Sequence, residues 1–62
     1  MKKELWNFLF EDKESGEQFF VECENMKECL EILSENDFER ENLNFLGVFS
    51  TEEADILGYD TY

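Results

Sequence analysis

The strongest constraint on the fold is an aromatic alternation that occurs twice. The segment "ELWNFLFE", residues 4–11, puts Trp6, Phe8 and Phe10 on one side of an extended chain and Leu5, Asn7 and Leu9 on the other. The segment "QFFVECE", residues 18–24, puts Phe19, Val21 and Cys23 opposite Phe20, Glu22 and Glu24. Between them stands "EDKESGE", a polar connection with Gly16 placed for a left-handed residue. Pairing Asp12 with Glu17 across the connection sets Trp6 opposite Cys23, Phe8 opposite Val21 and Phe10 opposite Phe19. The two runs therefore predict a β-hairpin with one strongly aromatic face.

A helix is expected next. Asn25 can cap it, with Glu28 three residues on in a box-like arrangement, and Met26, Cys29, Leu30 and Leu33 recur at the spacing of a buried helical stripe. "END" at residues 35–37 ends it, because Asn and Asp favour turns. A third strand is expected over residues 42–50, covered on both faces or bulged at Gly47. "STEEADILG" then reads as a short second helix, with Ser50 and Glu53 as a capping box and Gly58 at its end. The order is β-β-α-β-α. A right-handed crossover places the third strand beside the first, giving an α+β domain with a three-stranded antiparallel sheet, one main helix on one face and a short C-terminal helix. Trp6, Phe8, Phe10, Phe19, Val21, Cys29, Leu30, Leu33 and Phe45 are the expected core. The other sheet face is partly apolar through Leu5, Leu9 and Phe20, and needs a cover of its own.

Residues 1–62 suffice for one domain, and a chain of this length buries only about 60% of the surface exposed by its unfolded form. Its aromatic side chains compensate, at ~150–250 Å² each. The charge is the unusual feature: 17 acids against 5 bases, a formal net charge of −12. Such a field repels nucleic acid and anionic lipid and attracts basic surfaces, which argues against direct nucleic-acid binding and against membrane association. "MKKELWNFLF" opens like a signal peptide, but Asn7 breaks its apolar run and no small-residue cleavage site follows. A cytoplasmic protein with Cys23 and Cys29 as reduced thiols is the expectation.

Little catalytic chemistry is on offer. The chain has no His, and no nucleophile stands beside a base, so no catalytic residues are assigned and a non-enzyme is expected. Close carboxylate pairs follow by chance from so many acids. Residues 11–22 carry a glycine at loop position six and a glutamate at twelve, as a calcium loop does, but Lys13 occupies position three, where an oxygen ligand is required. Two cysteines without further Cys or His make no zinc site. No metal or cofactor is expected.

The acids themselves form a pattern. Glu22 and Glu24 lie two apart on one strand face, ~6.6 Å apart. Glu28, Glu31 and Glu35 follow the outer stripe of the first helix at ~5–6 Å per step, and Asp37, Glu39 and Glu41 continue beyond it. Phosphates along a nucleic-acid strand repeat on a similar scale, roughly 6–7 Å. Carboxylates in this array suit the basic groove of a nucleic-acid-binding protein. A solvated helix face that serves only solubility is the plainer account of the same residues.

The opening strand "LWNFLF", the return "SGEQFFVE", the capped helix "NMKECLEIL" and the ending "STEEADILGYDTY" together resemble the small acidic proteins of unassigned function from Firmicutes phages and conjugative elements. The resemblance implies a mobile-element setting, in which small acidic proteins act as DNA mimics, and it carries over no functional residues. The leading expectation is a non-enzymatic acidic protein that binds the basic surface of a nucleic-acid-binding partner through Glu22, Glu24, Glu28, Glu31, Glu35, Asp37, Glu39 and Glu41. The rival is a structural module, a homo-oligomer or accessory subunit, that buries Leu5, Leu9, Phe20 and the tail tyrosines.

Overall fold

The computed structural model describes residues 4–62. The chain runs through β1 (Trp6–Asp12), β2 (Gln18–Cys23), α1 (Met26–Glu35), a 3-10 turn (Arg40–Asn42), β3 (Leu43–Phe49), α2 (Thr51–Leu57) and β4 (Asp60–Thr61). The hairpin has the register that the alternation predicts, with Trp6 opposite Cys23, Phe8 opposite Val21 and Phe10 opposite Phe19. The Asp12 N–H donates to the Glu17 carbonyl at 2.8 Å and closes the connection.

Both helices start where their caps dictate. The Asn25 side chain accepts from the Glu28 N–H at 2.9 Å, while a Glu28 carboxylate oxygen accepts from the Glu24 N–H at 2.9 Å. The return bond thus lands one residue earlier than in a standard capping box. At α2 the box is complete: Ser50 Oγ accepts from the Glu53 N–H, and Glu53 Oε1 accepts from the Ser50 N–H. Gly58, left-handed at φ +70°, ends the helix.

The crossover through α1 sets β3 antiparallel beside β1, so β1 lies between two antiparallel neighbours as expected. The β1–β3 register shifts between Leu9, opposite Gly47, and Phe10, opposite Phe45, which leaves Leu46 as the extra residue of a bulge. Gly47 has φ +156°, where side chains are rarely tolerated, and a Cβ there would stand 3.4 Å from the Phe49 ring.

The expected three-stranded antiparallel sheet requires correction. The sheet has four strands in the order β3-β1-β2-β4 and is mixed, because β4 lies parallel to β2. Routing β3 to the far side of β1 leaves the outer edge of β2 open, and the tail fills it: Tyr62 N–H donates to the Phe20 carbonyl at 2.8 Å. Two residues are too short to show a period, so the sequence pattern conceals this strand.

The sheet is buried on both faces. Beneath α1 lie Phe8, Phe10, Phe19, Val21, Cys23, Cys29 and Leu33. Beneath α2 lie Leu9, Phe20 and Ala54, with Phe49 against them. Two expected core members are corrected: Trp6 is 40% exposed and Phe45 48% exposed. Their face is as assigned, but α1 packs along β2 and leaves the β3 side of that face uncovered. Leu30 is only half-buried. Phe38, which no periodicity placed, stacks on Phe19 at 4.8 Å, and Tyr62 meets both rings edge-on at 5.1 and 5.3 Å.

The thiols are a further correction. Cys23 ends β2 facing α1, and Cys29 lies in the first turns of α1 with the Cα atoms 6.0 Å apart; the two form a disulfide rather than the expected pair of free thiols. The reading from cellular compartment ignored that a strand, a two-residue turn and a helix start bring these positions together.

Asn7 is the buried polar side chain of the sheet, and its Nδ2 finds no hydrogen-bond partner. A buried unsatisfied amide costs ~1–3 kcal/mol. Two substitutions on adjacent β1 positions should therefore act in opposite directions. Phe8→Ala empties part of the α1-side core and should cost ~3–5 kcal/mol, enough to unfold most of a small domain. Asn7→Val removes the orphan donor and should raise the denaturant midpoint, as chemical unfolding will show.

Candidate functional site

Helix α1 divides one sheet face into two unlike grooves. Its Met26, Leu30 and Leu33 flank looks toward β3 and, with Phe10, Leu43, Phe45 and Arg40, encloses an apolar groove of about 260 Å³. Its Glu28, Glu31 and Glu35 flank looks the other way. There it lines a shallow groove of about 290 Å³ with Leu5, Cys23 and Ile32, and Glu22 and Glu24 border it at the end of β2, Glu22 from the opposite sheet face beside Asn7.

Five of the eight acids expected to act together thus border one groove around the β2–α1 turn, three from α1 and two from the end of β2. The other three are not part of it. Asp37 and Glu39 line a separate depression at the far end of α1, with Asp12 and Glu14 from the hairpin connection. Glu41 lies in the 3-10 turn, where its carbonyl accepts from Lys13 Nζ at 3.1 Å. Sequence reasoning missed Asp12 and Glu14 because they are distant along the chain, and only the β1–β3 pairing carries them to this end. No run of charge or period could have shown it.

Some of these acids have structural duties. Glu28 is held by the cap of α1 through its bond from Glu24 N–H. Asp37 takes the left-handed position after the helix, at φ +63°, and its N–H donates to the Ser34 carbonyl. Glu22, Glu31 and Glu35 are exposed, so their carboxylates are accessible to a partner. The last turn of α1 holds Glu35 and no base. A negative charge there opposes the helix dipole, typically by 0.3–1 kcal/mol.

The arrangement spreads charge rather than converging it. Among the described residues no three Asp, Glu or Cys side chains gather closely enough to hold a metal ion. The groove therefore offers an extended anionic surface over a small apolar floor. No described helix is long and apolar enough to cross a membrane.

The rival surface is occupied by the chain itself. Leu9 is 5% and Phe20 0% exposed, both under α2, and Tyr59 lies on Phe20 at 5.9 Å between ring centroids. Tyr62 packs on Phe19 and Phe38, and Leu5 opens onto the acidic groove instead. The free apolar surface is on the opposite face, beside β3.

No protein-family model, curated protein or solved structure matches the chain significantly.

Carboxylates crowded on a folded surface repel one another more than in the expanded unfolded chain. Salt screens that repulsion, with a Debye length of ~10 Å at 0.1 M. The melting temperature should therefore climb as sodium chloride is raised from low to moderate concentration. A flat response in thermal melts would mean that the acids are already compensated within the fold.

Proposed function

We propose that the chain is a non-catalytic binding protein whose acidic β2–α1 groove occupies a basic protein surface, in particular the nucleic-acid-binding surface of its partner. The observation that supports this reading most is the gathering of Glu22, Glu24, Glu28, Glu31 and Glu35, from a strand, a turn and a helix, along one groove. Helical spacing sets the α1 acids ~5–6 Å apart, close to the repeat of phosphates along a strand. Exposed Leu5 and half-buried Ile32 in the groove give the aliphatic stems of Lys and Arg an apolar bed.

The resemblance to small acidic proteins of phages and conjugative elements belongs to this proposal, as does action in the cytoplasm, where such partners work. The Cys23–Cys29 bond closes only the strand-to-helix turn, and in a reducing compartment the two side chains would pack in the α1-side core as buried thiols. Asp37, Glu39 and Glu41 are assigned a long-range steering role, since they lie outside the groove.

The test uses a panel of basic nucleic-acid-binding domains, with affinity measured by calorimetry at low and high salt and duplex DNA as competitor. Glu28 is left intact because it caps α1. Replacing Glu22, Glu31 and Glu35 together by Gln should weaken binding about tenfold, if each exposed charge contributes a few tenths of a kcal/mol to ~1 kcal/mol. The loss should fall mainly on the association rate, and DNA should compete. Undiminished binding by the triple variant, or indifference to DNA, would contradict the reading.

A further inference from the structure

β3 is the one long strand without a charged residue. Leu43-Asn44-Phe45-Leu46-Gly47-Val48-Phe49 contains no Asp, Glu, Lys or Arg in a chain that is 35% charged. It is also a sheet margin, with no described strand on its outer side. The Lys13 N–H donates to the Asn42 carbonyl, so the alternation of an antiparallel ladder turns the N–H and C=O groups of Leu43 and Phe45 outward. Edge strands are ordinarily blunted by charge or Pro, and β3 has neither; only its bulge interrupts it. Val48, 47% exposed, and Phe45 stand on its α1 face. Their apolar surface runs on through exposed Trp6 and Met26 along the 260 Å³ groove.

We infer that β3 is a self-association surface, on which two copies pair β3 with β3 antiparallel about a two-fold axis. The two sheets become one, and the two apolar grooves lie against each other. The charge distribution selects a second copy over a basic partner. A basic partner is drawn to carboxylates, and those of the acidic groove lie on the opposite flank of α1. Two chains of net charge −12 meet at least Coulombic cost along a strip that carries none. Isologous pairing also satisfies the outward backbone groups of Leu43 and Phe45 with the same groups of the other copy. The charged residues flanking β3 along the chain are Glu39, Arg40 and Glu41 before it, and Glu52 and Glu53 after it, so both flanks are net negative. Antiparallel pairing brings one copy's first flank toward the other copy's second flank, and the net repulsion between them outweighs the single base. Salt therefore tightens the dimer, the reverse of its effect on a basic partner in the acidic groove. This surface stands apart from that groove and does not depend on the function assigned to it.

Sedimentation equilibrium of the wild-type chain, from micromolar to millimolar and at two salt concentrations, tests the inference. The expected result is a concentration-dependent mass approaching twice the 7.5 kDa of one chain, with a dissociation constant that falls as salt rises. Leu46→Lys and Val48→Lys should each weaken association by about tenfold or more while the circular dichroism stays native. If either variant fails to fold, the wild-type chain still decides: on dilution, the backbone amide shifts of Leu43, Phe45 and Val48 should move more than those of β2 and α1. A chain that stays monomeric throughout overturns the inference, including one whose β3 amides shift only when another protein is added. So does a dimer that both folded lysine variants leave intact.

Discussion

The fold depends on the burial of one hairpin from both sides. In β1 and β2 consecutive large side chains point to opposite faces: Phe10 and Phe19 go beneath α1, and Leu9 and Phe20 beneath α2. Each such side chain withdrawn from water contributes ~1.5–3 kcal/mol. A short chain that buried only one sheet face would leave Phe20 and Leu9 in water. The seven-residue α2, with its complete capping box and its Ala54 against Phe20, is the economical cover for the second face. An alanine at that point lets the helix approach the ring closely.

That arrangement also decides where the charge can go. With both faces of the hairpin covered, the carboxylates are confined to the helix exteriors, the turns and the rim. α1 packs over β2 rather than over the middle of the sheet, so its two flanks meet different surroundings. One flank and the end of β2 hold acids, while the other, with β3, holds Met26, Phe45 and Val48. The acidic groove thus lies on one flank of α1, and the apolar groove, with Arg40 at its margin, on the other.

Much of this was legible in the sequence, because local rules govern it. The hairpin register follows from period-two aromatics, and the helix starts follow from Asn25 and Ser50. A bulge at Gly47 was one of two readings the sequence left open for the third strand, and the place of β3 follows from the handedness of crossovers. What was not legible depends on how elements sit on one another. No period reveals that α1 leans toward β2, so Trp6 and Phe45 were assigned to the right face but the wrong depth. The Cys23–Cys29 bond depends on a Cα separation of 6.0 Å across a turn, which composition does not report. Of the acidic site, the sequence showed the five residues linked by local spacing. It also joined Asp37, Glu39 and Glu41 to them, although the end of α1 and the following turn direct those three elsewhere.

The two-sided hairpin is most directly tested by native-state amide hydrogen exchange, residue by residue. If it is the framework on which both helices depend, the slowest amides belong to hydrogen-bonded positions of β1 and β2, and they exchange with the free energy of global unfolding. Hydrogen-bonded amides of α2 and of the tail pairing at Tyr62 should exchange faster, through smaller openings. Slowest exchange confined to α1, with β1 and β2 opening at lower free energy than the helix, would contradict the account.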